Sequence, residues 1–274
     1  MHSHLETANY RLISARHGRF LVNPNDMYIG RSLIEYGEFS EIEVGLINQL
    51  LPAGGVAVEV GANIGAMTVP MAEKVGRGGL IYAFEPQVLV FQQLCANLAL
   101  NDTVNVAAFN AGCGAAEGRL PVARFDPQKP NNFGGITLDR MRDDTSPIPV
   151  RLETLDGLLV PHRLDLIKCD VEGMELDVLR GADRLIKSFK PALYLENHLA
   201  EKSRDLIQHI ADLGYTCWWH LPPLFNKENH ARNGEDIFGN IVSFNMMCLP
   251  AGDARNVVGL RPVSGPDDHP KNWN

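Results

Sequence analysis

The sequence predicts an α/β fold: a Rossmann-like, doubly wound, mostly parallel seven-stranded sheet whose last strand is antiparallel, with helices on both faces. From Val56 onward, short apolar β-branched runs alternate with longer amphipathic stretches, the rhythm of βα units feeding a parallel sheet. Runs such as VAVEV (56–60) and LDLIKC (164–169) are apolar nearly throughout, which requires burial on both faces. No crossover helix pattern fills residues 220–240, so the final apolar run pairs antiparallel, because only a parallel connection needs a long crossover.

Strands are expected at 56–60, 80–84, 104–110, 164–169, 192–195, 216–219 and 241–248, and helices at 64–75, 88–100, 174–188 and 200–213. Ahead of the sheet, residues 40–51 have helical spacing with Ser40 as N-cap and Glu43 three residues on, the pattern of a capping box. The Pro-, Asp- and Asn-rich region 114–163 and the segment 220–240 read as long loops. Within them, 131–139 and 220–240 are expected to move and shield an active end. The resulting division is an N-terminal lead-in and covering helix at 1–52, the main domain at 53–250 and a tail at 251–274.

At 274 residues and 45% hydrophobic, the chain can bury one large core. A formal net charge of -8 without a Lys/Arg run excludes a nucleic-acid footprint and favours a small-molecule or glycan partner. The five cysteines are scattered with no CxxC pair, as in reduced, buried thiols, so a cytoplasmic compartment is expected. Residues 1–25 are polar throughout, with His2 and His4 in a start expected to be disordered, and no membrane span is visible. A homo-oligomer is a further expectation.

The segment VAVEVGANIGAMTVPMA reads as a buried strand, a glycine turn and a helix, with Gly61 letting the backbone approach a ligand closely. Asn63 interrupts the GxGxxG fingerprint, so the diphosphate cradle is incomplete. Glu59 adds negative charge where NAD would bring a diphosphate, but where a methionine ammonium and a sulfonium would be welcome. Glu85, at the tip of the neighbouring strand, can accept both ribose hydroxyls, or it is merely a charge at a helix N-terminus. The rivals to a methyltransferase are an NAD(P)-dependent oxidoreductase or epimerase, against which the broken fingerprint counts, and a non-catalytic adenosylmethionine-binding module.

Specific motifs complete the pattern. Asp26-Met27-Tyr28-Ile29, Tyr36-Gly37-Glu38-Phe39, VEVGANIG, AFEP (83–86), the run from Leu166 to Glu175 containing DVEGxE, and Leu179-Arg180-Gly181-Ala182 together resemble the FkbM family of class I S-adenosylmethionine-dependent methyltransferases, from about Asp26 to Pro250. The resemblance implies S-adenosylmethionine as cofactor. It implies Glu59, Gly61, Ala62, Asn63, Glu85, Pro86 and Asp170 around it, Tyr36 and Gly37 closing over it, and Gly112 near the adenine. It further implies O-methylation of a hydroxyl on a sugar, glycan or secondary metabolite.

Acceptor chemistry is expected beyond the carboxyl ends of the strands, where Asp170 and then Glu196, Asn197 and His198 fall. Asp170 and Glu172 are also good cap residues for the next helix. An acid after one strand and an acid-Asn pair after its neighbour resemble metal-dependent O-methyltransferases, which implies Asp170, Glu196 and Asn197 around Mg²⁺ or another divalent ion. His198 is the first candidate base, with Asp170, Lys168 and Glu172 behind it.

Overall fold

The computed structural model describes residues 7–135 and 147–273. His2, His4 and residues 136–139 of the expected mobile cover lie outside these.

The chain opens with a hairpin, β1 (Arg11–Ala15) and β2 (Gly18–Val22), then α1 (Ile29–Tyr36) and α2 (Glu41–Leu50). The βα alternation follows: β3 (Val56–Val60), α3 (Thr68–Val75), β4 (Leu80–Phe84), α4 (Val88–Leu100) and β5 (Val106–Phe109). After a lateral excursion through β6 (Ala111–Cys113), β7 (Gly118–Val122), β8 (Ile148–Glu153) and α5 (Leu155–Leu158), it resumes with β9 (Leu166–Cys169). Then come α6 (Glu175–Arg180), α7 (Asp183–Phe189), β10 (Ala192–Glu196), α8 (Ala200–Asp212), β11 (Tyr215–His220), β12 (Asn245–Pro250) and β13 (Arg261–Pro262).

Among the described residues the main sheet has the order β13-β11-β12-β10-β9-β3-β4-β5. β5, β4, β3, β9 and β10 pair parallel, while β12 inserts antiparallel between β10 and β11, as the missing crossover helix requires. Alternation along the strands sorts the core into two faces. Val58, Val60, Ile167 and Leu193 pack with Leu179, Leu185 and Ile207 of α6, α7 and α8, whereas Ala57, Leu166 and Ala192 pack with Ile47 of α2 and Met71 of α3. Each such fully buried large side chain contributes roughly 1.5–3 kcal/mol, so the parallel centre is rigid and its carboxyl ends form a fixed platform.

Several expectations need correction. The helix expected from Ile64 begins only at Thr68, because Asn63 (φ 49°) and Gly65 (φ 88°) hold the turn in left-handed conformations. The helix expected over 174–188 is two, α6 and α7. They part at Gly181, where a Cβ would lie 2.0 Å from the Gly114 carbonyl oxygen and whose own carbonyl accepts from the Asp156 amide. Region 114–163 is not simply a loop, since β6, β8 and β7 form a separate three-stranded sheet. The Ser40/Glu43 capping box does not form; the Ser40 hydroxyl bonds the Glu43 carboxylate instead (2.7 Å), with Ser40 at φ 46°. The sheet gains an eighth strand because the segment expected as a tail returns through β13. It packs Trp273 and His269 on Trp219, and His269 Nε2 lies 3.1 Å from the Asn197 carbonyl.

Candidate active site

The carboxyl ends of β3, β4, β9 and β10 open into a cleft of about 380 Å³. The turn after β3 forms one wall, and its amides are already satisfied. Gly61 and Ala62 donate to the Phe84 carbonyl, Asn63 to Glu85 Oε2 (3.0 Å), Ile64 to Asn63 Oδ1 (2.8 Å) and Gly65 to the Ala62 carbonyl. No amide of this turn is left to cradle a diphosphate, which removes the feature an NAD site needs most. Gly61 also serves strand packing: at φ 85°, a Cβ would sit 1.9 Å from the Asp170 carbonyl oxygen, so glycine lets the ends of β3 and β9 meet.

Glu85 lines the cleft with both carboxylate oxygens engaged, one by Asn63 and the other by the Gln87 amide (2.8 Å). Burial pushes its pKa up to about 7 against the pull of those two amides. Its outer lone pairs remain available to hydroxyl donors.

Registry places Glu59 of β3, Lys168 of β9 and Tyr194 of β10 side by side. All three are buried, and Glu43 of α2 is buried at the cleft wall. Glu59 Oε2 accepts from Thr68 Oγ1 at 2.6 Å, while Oε1 is shut off from solvent without a hydrogen bond, 3.8 Å from Lys168 Nζ. Burial alone would discharge Lys168, but Asp170, Glu59 and Glu43 hold its pKa above the usual lysine value. Lys168 is therefore a fixed cation, unsuited to accepting a proton.

At the other end, Asp170 Oδ2 lies 3.6 Å from Lys168, and His198 lies between two acids, Nε2 3.6 Å from Glu172 and Nδ1 3.0 Å from Glu196. Burial lowers the His198 pKa, which keeps the imidazole neutral. Burial, and then Asp170 and Glu172, push that of Glu196 well above the carboxylate range. Neither Asp170 nor Glu172 is needed as the helix cap, because Glu175 Oε1 accepts from the Val171 and Gly173 amides (3.1 Å each).

Glu59, Gly61, Ala62, Asn63, Glu85, Lys168, Asp170, Glu172, Glu196 and His198 thus all line one cleft. Asn197 does not join them. Its side-chain amide donates to Ser203 Oγ and Met246 Sδ beneath α8, so the expected Asp170-Glu196-Asn197 ligand set does not assemble. Tyr36, Gly37, Pro86 and Gly112 also lie outside the cleft walls, and Gly112 belongs to the small sheet. Sequence reasoning gave no cleft role to Tyr28 and Phe39, although both stand in quoted motifs, nor to Glu43 of α2, Ser243 or Asn245 of β12, all of which line the cleft.

Tyr36 instead secures a wall. Its hydroxyl donates to the Glu235 carbonyl (2.8 Å) and accepts from the Ile237 amide (2.9 Å). Glu38 holds Asn226 Nδ2 and the His230 amide (2.8 Å each). The Met27 amide and Asn25 carbonyl pin Asn131 on the opposite side. These bonds clasp Asn131 and parts of 226–237 to residues 25–38. Tyr36→Phe should cost about 1–2 kcal/mol locally, and amide exchange over 224–240 should then accelerate roughly 5–30-fold. Unchanged exchange there would show that the hydroxyl carries no weight.

The Methyltransferase FkbM domain family matches residues 59–217. The chain is similar to "Methyltransferase sdnD" of Sordaria araneosa, 32% identical over 162 residues covering 48% of this chain and 62% of that protein. It is also similar to "Methyltransferase 1" of Beauveria bassiana, 31% identical over 151 residues covering 48% and 60%. The chain thus spans less than two thirds of either relative's length. Among solved structures it is similar to methyltransferase FkbM from Methylobacillus flagellatus KT, with TM-score 0.48 and 18% identity, over 71% of this chain and 44% of that one. With the family's domain matched over more than half of its length, the chain belongs to the FkbM family of class I S-adenosylmethionine-dependent methyltransferases.

Proposed function

We propose that this chain methylates a hydroxyl group on an uncharged sugar, glycan or secondary metabolite, using S-adenosylmethionine. The observation that carries the reading is the division of the cleft. Glu59 and Glu85 stand at the β3 and β4 ends, and Asp170, Glu172, Glu196 and His198 stand at the β9 and β10 ends. Glu59 Oε1, fully buried without a hydrogen bond, suits an ammonium, and Glu85 suits a ribose diol, so the residues fit the cofactor. That cofactor would supply an electrophilic methyl on a sulfonium.

On the acceptor side, neutral His198 is placed to take a hydroxyl proton, with Glu172 beside it to stabilise the imidazolium that results. Six acids line the cleft, Glu43, Glu59, Glu85, Asp170, Glu172 and Glu196, and Lys168 is already committed to two of them. Lys168 is the one Lys or Arg among these lining residues, so no uncommitted cation there awaits an anionic acceptor. Tyr28, Ile29, Phe39, Leu224 and Phe244 give the walls an apolar share that suits a ring. A divalent metal assisting the hydroxyl belongs to the same reading. A cytoplasmic setting also remains our expectation; among the described residues, no helix is long and apolar enough to cross a membrane.

The test is an acceptor screen with methyl-labelled cofactor, paired with calorimetry of S-adenosylhomocysteine, NAD⁺ and NADP⁺. The expected result is saturable binding of S-adenosylhomocysteine, at least about tenfold tighter than either dinucleotide, because the turn offers no free amide to a diphosphate. Preferential dinucleotide binding would overturn the assignment in favour of an oxidoreductase.

A further inference from the structure

We propose that Cys217 and Cys248 are a reversible dithiol that a low-molecular-weight disulfide oxidises to a cross-strand disulfide, clamping the stretch of cleft wall carried between them. The two cysteines stand directly opposite each other in the antiparallel pairing of β11 with β12. Both side chains enter the core cluster that contains Leu206, Ile207 and Ile210 of α8, so they leave the sheet on the same face.

The ladder also sets their spacing. The Cys217 carbonyl accepts from the Val263 amide (2.9 Å), on the far side of β11 from β12, and further along the Ala251 amide donates to the Gly214 carbonyl (2.8 Å). Bonded and non-bonded pairs alternate in such a ladder, and both observations make Cys217 and Cys248 a non-hydrogen-bonded pair, in which Cα atoms lie about 4.5 Å apart. Disulfides span Cα separations of roughly 4.4–6.8 Å, so this pair can close with little movement of either strand. A bond at the short end of that range is strained, which keeps it reducible. Burial, and then the adjacent Cys217 thiol, push the Cys248 pKa well above the usual thiol value, in keeping with two sulfurs side by side.

Cys248 is fully enclosed, while Cys217 is 7% exposed. β13 covers β11 through only two paired positions, Trp218 with Pro262 and Trp219 with Arg261, so local opening there bares Cys217 first. Cys217 then loses its proton and attacks one sulfur of the small disulfide, expelling a thiolate and leaving a mixed disulfide. Cys248 in turn loses its proton and attacks Cys217 Sγ, expelling the second thiolate. The two protons go to the two expelled thiolates, so the protein gives up two electrons and the small disulfide becomes two thiols.

The consequence lies in what the pair encloses. Between them the chain supplies Leu224, Ile241, Val242, Ser243, Phe244 and Asn245 to the cleft. A covalent bond between β11 and β12 ties both ends of that wall, which in the reduced protein hangs on the strand ladder and on the Tyr36 and Glu38 contacts.

Thiol oxidation is measured without cofactor or acceptor, so it stands or falls apart from the methyl-transfer reading. The folded full chain, equilibrated in buffers of rising oxidised-to-reduced glutathione ratio, alkylated and mass-mapped, should lose two of its five free thiols in a single step. The product should be an intramolecular Cys217–Cys248 cross-link that reduced glutathione reverses, with Cys113 and Cys169 still free. Cys217→Ser and Cys248→Ser should each abolish it. In the cross-linked protein, amide exchange across 221–244 should slow at least about threefold. Both cysteines staying free throughout, glutathione adducts without the cross-link, a cross-link to another cysteine, or one that forms only in urea overturns the proposal. A cross-link that leaves exchange across 221–244 unchanged overturns the clamp.

Discussion

Gly61→Ala is expected to lower the stability of the whole chain by about 3 kcal/mol or more. A non-glycine residue at φ 85° costs on the order of 1–3 kcal/mol. The added Cβ would meet the Asp170 carbonyl oxygen at 1.9 Å and its carbon at 3.0 Å, so the ends of β3 and β9 would have to separate. Backbone cannot swing aside as a side chain can, and overpacking of this kind adds roughly 1–3 kcal/mol. The Asp170 amide's bond to the Val60 carbonyl (3.0 Å) would be strained as well. The check is a urea midpoint on cofactor-free protein. A variant of wild-type stability that only lost cofactor affinity would mean that Gly61 serves ligand approach, as the sequence suggested, and not strand packing.

Glu85→Ala should weaken S-adenosylhomocysteine binding by about 1.5–3 kcal/mol, the range for hydrogen bonds to a charged group. The loss is compounded because the Asn63 and Gln87 amides lose their acceptor in the same step. Unchanged affinity in calorimetry would remove Glu85 from the site. The pH dependence gives a second reading. The folded pKa of about 7 lies above the ordinary 4.5, so burial favours the protonated acid. Its contribution to apo stability is therefore complete below about 4.5 and is lost as pH rises through about 7. Ribose hydroxyls donate to the carboxylate, so ligand affinity should move the other way, rising between pH 6 and 8 by up to about tenfold. Glu85→Gln should flatten that rise; a pH profile identical to the wild type's would assign the titration to another group.

Much of the fold was legible because burial writes itself into sequence. The limits of β3, β4 and α4 coincide with apolar runs, and the antiparallel β12 followed from a missing crossover helix. The small sheet of β6, β7 and β8 was not legible. β7 (GRLPV) is short, carries a proline and lies at an edge, where no two-sided apolar run is required. The break between α6 and α7 was equally hidden, since it depends on the Gly114 carbonyl some 67 residues away from Gly181, and a periodicity count sees only neighbours.

The sequence by itself determined which strands end in chemistry. Glu59, Glu85, Asp170 and Glu196 each stand in or directly after an apolar strand, and the parallel order delivers all four to one crevice. Only the tertiary structure decided how each is used. Position at a strand tip fixes which end of the sheet a residue occupies, whereas side-chain direction and partners depend on elements distant in the chain. Asn197 and His198 are consecutive, yet one turns beneath α8 and the other lies between Glu172 and Glu196. Tyr36 shares a motif with Phe39, yet Phe39 meets the cleft while the Tyr36 hydroxyl clasps residues 235–237. Lys168 was a candidate base by identity alone, and the acids packed around it in three dimensions keep it charged.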